Sequence, residues 1–344
     1  MAELDARKSQ ILATVVGEHI RTAAPVGSQA VLRRCALRIS PATVRSEMLE
    51  LDEQGFLIQP HTSAGRVPSD LGYRFYVDHY VDASALPWET RAHIERAYAS
   101  AAEGLEQALR ETSRLLAELT HYAAVVWPPA DVEPVLRHVN TSRVDSHHIL
   151  LVYVTSAGEV IHKLLEAPVS LTEAQLAALG RLLNRRLRGH TVSALSGLRT
   201  PELAAALARL GIAPQVLDVV EDHLTVPPGR PAYVEGVLYV LKEPEFAGME
   251  RAQDVLEALE SPDLLAAAPP PEPPEGVGVS IGGENRLSAL HGCSVVAGAY
   301  PRPTGEPGVL ALIGPTRMKY REAVPVMAHV ARRLAEALAA CLEP

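Results

Sequence analysis

Near the start of the chain, apolar positions recur at the spacing of an amphipathic helix. The apolar face consists of Ile11, Leu12, Val15, Val16 and Ile20. This spacing predicts a helix over residues 6–22, which Pro25 and Gly27 end. A second, short helix is predicted from Ser28, whose hydroxyl would cap it. Its inward-facing residues are Val31, Leu32 and Cys35.

Ser40 and Pro41 predict the start of a third helix, because a serine hydroxyl caps free N–H groups and proline at the first helical position loses no hydrogen bond. Val44, Met48 and Leu51 follow at helical spacing and define the inner face. The outer face then carries Thr43, Ser46 and Glu47, with Ala42 and Arg45 beside it. The outward N-terminal end is the part of such a helix that enters a DNA major groove.

Gly55 ends the third helix, and residues 56–59 predict a strand that leads into a polar hairpin over residues 61–68. A groove-reading helix followed by a hairpin with an arginine is the layout of a winged-helix DNA reader. The residues predicted to contact DNA are Ser40, Ala42, Thr43, Arg45, Ser46, His61, Thr62, Ser63 and Arg66. The alternative for the hairpin is a solvated surface turn. Four aromatic residues in the helix that follows from Ser69 favour packing over base stacking.

The rest of the chain alternates helical and strand patterns. A long helix is predicted over residues 87–120, strands over 122–127, 148–154 and 160–165, mostly helices over 172–261, an extended proline-rich spacer at 269–275, strands over 277–281, 294–300 and 308–313, and a closing helix over 320–342. Strands on both sides of a helical stretch predict one α+β domain that an insertion interrupts, because the leading strands alone make too small a sheet.

The composition of the chain restricts the range of possible functions. The net charge of −9 argues against indiscriminate binding of polyanions, but five arginines and no acidic residue lie between His19 and Ser46. Three distant cysteines predict neither a disulfide framework nor a zinc site. The absence of a signal sequence and of a long apolar run predicts a cytoplasmic protein with no membrane partner.

Several longer motifs make the chain resemble the HrcA family of heat-inducible transcription repressors. They are PVGS at 25–28, SPATVR at 40–45, PHTSAGRVP at 60–68, GYRFYVD at 72–78, PEF at 244–246, IGGEN at 281–285 and GPTRMKY at 314–320. The family usually has Asn-Asp where this chain has Ser46-Glu47, so Ser46 would make a shorter contact with DNA.

The resemblance implies an α+β multidomain fold. It comprises a winged helix-turn-helix DNA-binding domain at 1–82, a linker helix at 83–120, a GAF-like domain at 121–170 and 276–344, and a mostly helical inserted dimerisation domain at 171–275. It also implies a homodimer that binds double-stranded DNA at an inverted-repeat operator of chaperone operons. Heat stress would release the operator, and a GroE-type chaperonin would modulate the repressor. No cofactor, metal or catalytic residue is expected.

The sequence leaves two other functions open. An enzyme has little support, because the IGGEN motif lacks the pattern of a phosphate-binding loop and His147-His148 has no accompanying metal ligands. The second alternative is a winged-helix regulator whose GAF-like domain senses a small molecule. Apolar strands could line a ligand pocket, although the same residues are more simply explained as core.

Overall fold

The computed structural model describes residues 4–35, 39–61, 64–99, 105–129, 135–156, 160–191, 200–223, 232–260, 276–301 and 307–342. Contacts divide the chain into two compact units. The first unit contains Met1–Trp127 and Ala232–Pro344, and the second contains Pro128–Pro231.

The first unit begins with three helices, a small hairpin and a fourth helix. Its elements are α1 (Ala6–Thr22), α2 (Ser28–Arg34), α3 (Pro41–Glu53), β1 (Leu57–Ile58), β2 (Val67–Pro68) and α4 (Asp70–Tyr80). Predicted helices α1 and α3 are confirmed, and the Ser40 hydroxyl accepts a hydrogen bond from the Thr43 N–H at 3.1 Å. Helix α2 starts as expected, but Gly27 is its N-cap and Ser28 does not cap it.

Helix α4 packs against the backbone that leads into the hairpin. A Cβ atom built on Gly72 would lie 2.2 Å from the Phe56 carbonyl oxygen, so only glycine permits this approach. The Ser69 hydroxyl donates to the Gly55 carbonyl at 2.5 Å, and the Ser69 N–H donates to Phe56 at 3.1 Å. These contacts join α4 to the end of α3.

Two helices replace the single long helix that was predicted over 87–120. They are α5 (Trp88–Ala99) and α6 (Leu105–Thr120), and residues between them lie outside the described ranges. The Tyr98 and Thr112 hydroxyls are 2.7 Å apart. In one straight helix those residues would be separated by about 21 Å, at a rise of about 1.5 Å per residue. The prediction was wrong because a loose alanine-rich stripe does not distinguish a helix from a helical hairpin.

The later elements complete both units. In chain order they are β3 (Ala123–Trp127), β4 (Leu136–Arg143), β5 (His148–Thr155), β6 (Val160–Glu166), α7 (Glu173–Leu187), α8 (Pro201–Arg209), α9 (Val216–His223), β7 (Tyr233–Glu235), α10 (Val237–Leu241), α11 (Met249–Glu260), β8 (Val277–Ile281), β9 (Cys293–Tyr300), β10 (Gly308–Pro315) and α12 (Tyr320–Leu342). Short 3₁₀ turns lie at Pro244–Phe246, Gly282–Glu284 and Ser288–Leu290. The predicted strands and the closing helix are confirmed to within two residues.

An antiparallel five-stranded sheet in the order β7-β3-β10-β9-β8 forms the centre of the first unit. Its three central strands, β3, β10 and β9, are buried on both faces, as β9 illustrates. Val296 and Tyr300 face the core that includes α4, α6 and α12, whereas Val295 and Ala297 face the core that includes α10 and α11. This double burial explains the nearly continuous apolar sequence of β3, β9 and β10.

The second unit is an antiparallel sheet in the order β4-β5-β6, with α7, α8 and α9 packed on one face. Along β5, Ile149, Leu151 and Tyr153 are buried, and the residues between them are partly exposed. The sequence did not predict β4 because a register shift between Leu136 and His138 interrupts its alternation of apolar and polar residues.

The contact-based division differs from the predicted domain boundaries. Strands β5 and β6 were expected in one domain with β3, but they pair with β4 in the second unit. The inserted unit therefore starts at residue 128 rather than 171 and ends at 231 rather than 275. Helices α10 and α11 pack on the five-stranded sheet, so they belong to the first unit.

The close approach at Gly72 predicts a large effect of one methyl group. We expect Gly72→Ala to lower the free energy of unfolding of the first unit by about 1–3 kcal/mol, because helix and hairpin must separate. Gly17→Ala is the control, since nothing lies within 4 Å of its added Cβ. The control should stabilise helix α1 by roughly 0.5–1 kcal/mol. Denaturant unfolding followed by tryptophan fluorescence reports on this unit, which contains both tryptophans, Trp88 and Trp127. If Gly72→Ala and Gly17→Ala had the same free energy of unfolding, the steric argument would be contradicted.

Candidate nucleic-acid interface

The N-terminal end of helix α3 presents short polar side chains outward. Ser40, Ala42 and Ser46 are exposed, and Thr43 is half-buried. The hydroxyls of Ser40 and Thr43 lie 2.9 Å apart. Val44, Met48 and Leu51 are buried beneath them, as predicted, and fix which face is outward. This end of the helix is therefore free of apolar bulk and can approach a groove closely.

Two arginines add positive charge beside this helix end. Arg45 is exposed, and its Nε donates to the Ser28 hydroxyl at 3.3 Å. Arg33 on α2 is also exposed, and neither arginine has an ion-pair partner among the residues that the structure describes. Arg38 lies outside the described residues. Unpaired guanidinium groups are the side chains that exchange water for phosphate most readily.

Glu47 does not face outward as the helical pattern predicted. Its side chain is buried, and its carboxylate lies 3.3 Å from Arg7 and 3.3 Å from Lys8 on helix α1. Lys8 also pairs with Glu50 at 3.0 Å. The expectation was wrong because residue 47 lies three positions after Val44 and four before Leu51, so helical spacing places it at the margin of the inner face. There, Arg7 and Lys8 of α1 are the partners of its carboxylate. As a result, one negative charge is removed from the outward face of α3.

The hairpin is held by backbone pairing with the segment before α2. Val26 and Arg66 exchange N–H···O bonds of 2.8 and 2.9 Å. A Cβ on Gly65 would lie 2.4 Å from the Val26 carbonyl, which explains why glycine is required at this position. His61 at the start of the hairpin is exposed. Thr62 and Ser63, two of the predicted contact residues, lie outside the described residues.

Arg66 is directed into the protein and not toward solvent. Its Nε lies 2.9 Å from the Asp52 carboxylate, and only 14% of its side chain is exposed. The pair links the hairpin to the last turn of α3. A contact between Arg66 and phosphate would require this pair to open, so the structure favours a positioning role over the predicted DNA contact. Sequence reasoning missed the pair because Asp52 and Arg66 are not at helix or hairpin spacing.

The aromatic residues of α4 are core residues. Tyr73, Phe75 and Tyr76 are buried, which confirms packing over base stacking. The Tyr73 hydroxyl lies 2.7 Å from Nδ1 of His19. Burial lowers the pKa of His19 and raises the pKa of Tyr73 well above its ordinary value. Both groups are therefore neutral near pH 7 and add no charge to the surface.

The features considered for an enzyme have structural explanations. The glycines of IGGEN form a 3₁₀ turn against α4, and Glu284 of that motif pairs with Arg74. His148 lies 2.8 Å from Asp145 in the turn between β4 and β5. Within the described ranges, no three potential ligands are close enough to hold a metal ion. No described helix is both long and apolar enough to span a bilayer.

Comparisons with known proteins agree over nearly the whole chain. A family profile described as "HrcA protein C terminal domain" matches residues 106–324. The heat-inducible transcription repressor HrcA of Moorella thermoacetica is 37% identical over 337 residues, covering 97% of this chain and 98% of that protein. The repressor of the same name from Desulforamulus reducens is 34% identical over 338 residues, covering 98% and 97%. A crystal structure of a hypothetical protein matches with a TM-score of 0.60 at 25% identity, covering 98% of both chains.

The position of Arg66 predicts an effect on stability that Arg45 does not share. Arg66→Ala should lower the free energy of unfolding of the first unit by about 1–3 kcal/mol, because it leaves Asp52 without its partner. Arg45→Ala, an exposed arginine on the same helix-hairpin assembly, should change stability by less than about 0.5 kcal/mol. Tryptophan-monitored unfolding of both variants makes the comparison. If both variants lost the same free energy of unfolding, or if Arg66→Ala lost none, the Arg66–Asp52 pair would have no structural role.

Proposed function

This chain belongs to the HrcA family of heat-inducible transcription repressors, and we propose that it represses by binding an inverted-repeat DNA operator as a homodimer. In this proposal, residues 1–82 are the winged-helix DNA-binding domain, and the N-terminal end of α3 enters the major groove. The observation that carries it is the exposed polar helix end with the unpaired charges of Arg33 and Arg45 beside it. These features occur in a chain whose net charge is −9.

The proposed contacts divide into two groups. The residues that could reach base edges are Ala42, Thr43 and Ser46. Contacts with phosphates would come from Ser40, Arg45, His61, Thr62 and Ser63. Arg66 would support the hairpin from within through Asp52. Ser46 has a short side chain, so its contact with a base would be closer or would use a bridging water.

The dimer would form through the second unit, on the sheet face opposite α7, α8 and α9. This face carries Leu150 opposite Leu164 and Val154 opposite Val160 in the paired strands. Leu164 and Val160 are 56% and 63% exposed, which is unusual for apolar strand residues. A second copy of the chain is the occupant that the operator's two half-sites require. The five-stranded domain of the first unit would then be the GAF-like domain of the proposal.

Release would follow heat stress, and a GroE-type chaperonin would modulate the active form. This part of the proposal is supported only by the family resemblance. The second candidate is a small-molecule signal acting on the GAF-like domain. Its support is a cleft of about 490 Å³ whose lining includes Arg114, Glu118, Tyr239 and Lys242. Operator affinity that responds to chaperonin favours the first signal, and affinity that responds to a ligand in this cleft favours the second.

Operator binding tests the central proposal directly. The purified protein should protect an inverted repeat upstream of chaperone operons in a footprint and bind it at least about 10³-fold more tightly than scrambled DNA. Arg45→Ala should weaken that binding by about 1–3 kcal/mol. It should also lower the slope of log affinity against log salt concentration by about one, because one phosphate contact is lost. Lys163→Ala, on strand β6 of the second unit, is a control that should bind normally. Equal affinity for operator and scrambled DNA would reject sequence-specific repression.

The dimer surface has its own test. Leu164→Lys should raise the dimer dissociation constant at least tenfold, because a buried charge at the centre of an apolar interface is costly. Leu238→Lys introduces the same charge at an exposed leucine of the first unit and should leave the dimer intact. Sedimentation equilibrium measures both variants. A Leu164→Lys protein that remains as dimeric as the control would exclude this face as the interface.

A further inference from the structure

The IGGEN turn contacts the helix that follows the hairpin, and it does so through two acidic side chains. The Gly283 N–H donates to the Asp70 carboxylate at 2.8 Å. Arg74, one turn later on α4, donates through Nε to Glu284 Oε1 at 2.9 Å and through a second nitrogen to Glu284 Oε2. The same second nitrogen also donates to the Val279 carbonyl at 2.6 Å. Helix α4 is thus bound at two successive turns.

The turn is shaped for this contact. Gly282 has a φ of +54°, and a Cβ atom there would lie 2.1 Å from the Asp70 carboxylate. The Ile281 N–H donates to the Glu284 carboxylate at 2.9 Å. This bond holds the carboxylate in the position where it pairs with Arg74. The buried Asn285 amide nitrogen lies within 3.0 Å of the carbonyl oxygens of Gly282, Leu290 and Cys293. These bonds make the turn a rigid docking point.

Helix α4 connects the IGGEN turn to α3, the helix proposed to enter the major groove. Its first turn is held against the end of α3 by Ser69 and Gly72, which bond to or touch Gly55 and Phe56. The opposite side of α4 meets the five-stranded domain through Asp70 and Arg74. Tyr73, between them, packs its ring against Tyr320 at 6.2 Å between centroids. A shift of the turn relative to α4 would therefore change the orientation of α3.

A second contact restrains the other end of this helical assembly. Arg317 pairs with Glu243 and Glu245, and one of its guanidinium nitrogens lies 3.4 Å from the carbonyl oxygen of Ile20 in α1. The Arg317 side chain is 13% exposed. The two contacts are independent in sequence, and both join the N-terminal helices to residues that follow the inserted unit.

We propose that Asp70 and Arg74 are positioning residues for operator recognition. They hold α3 at the orientation in which two copies of the protein meet two half-sites, and they do not contact DNA themselves. The proposal rests on the proposed function. Arg74 and Glu284 are 23% and 38% exposed, so their pair contributes little to overall stability, and its effect is on orientation. Losing it would lower affinity, because each reading helix would have to be ordered on binding.

The test compares operator affinities of full-length variants by fluorescence anisotropy over a range of salt. Arg74→Ala and Glu284→Gln should each weaken binding by roughly tenfold, in line with the coupling energies of contacting residues. The slope of log affinity against log salt should stay unchanged, because no phosphate contact is lost. Arg45→Ala, in contrast, should reduce that slope. Arg332→Ala removes a pair with Glu336 on the exposed surface of α12 and should behave as wild type.

A second experiment exchanges the charges of Arg74 and Glu284. The double variant Arg74→Glu with Glu284→Arg should recover most of the affinity that either single charge reversal loses. Unchanged affinity in Arg74→Ala and Glu284→Gln, tighter binding, or a reduced salt slope would each overturn the proposal. Wild-type protein that does not prefer the operator would instead reject the proposed function, and with it the basis of this inference. The two failures are therefore distinct.

Discussion

Helix α4 joins the N-terminal helices to the five-stranded domain, and this role depends on close backbone packing at Gly72. The absence of a side chain there lets the helix lie on the Phe56 carbonyl, directly after the end of α3. Because one side of α4 is occupied by this contact, the other side can carry Tyr73, Arg74 and Asp70 toward the five-stranded domain. A side chain at position 72 would force α4 away from the backbone that follows α3.

The packing of α1, α3 and the hairpin also determines where the acidic side chains lie. The segment after Ser46 is acidic, and an acidic helix face would repel a phosphate backbone. In the folded chain, Glu47 and Glu50 pair with basic residues of α1, and Asp52 pairs with Arg66. The carboxylates thereby stabilise the assembly of helices and hairpin, while Arg45 stays exposed. A chain of net charge −9 can present a local surface of the opposite sign because its acids are used internally.

The parts of the fold that the sequence predicted are those with local physical causes. Helix α3 is specified by a serine cap, a proline at its first position and three apolar residues in register. Strand β4 and the partners of Glu47 and Arg66 depend on distant residues, which periodicity does not report. The grouping of strands was not predictable in this way. Strand β5 is a continuous apolar run over residues 149–154, much like β3, and its alternation of buried and partly exposed residues appears only in the folded chain.

The candidate site was predictable in its location but not in the roles of its residues. Exposure of the capped start of α3 follows from sequence alone, and Ser40, Ala42, Arg45 and Ser46 are exposed in the structure. The role of IGGEN was not predictable, since a glycine pair followed by an acid is equally compatible with a simple turn. Its Gly282 conformation and the Glu284 bond to Ile281 make sense only beside Asp70 and Arg74, which precede it by more than 200 residues. Residues whose constraint comes from such a distant contact have no signature in the local pattern, and their importance appears only when the chain is folded.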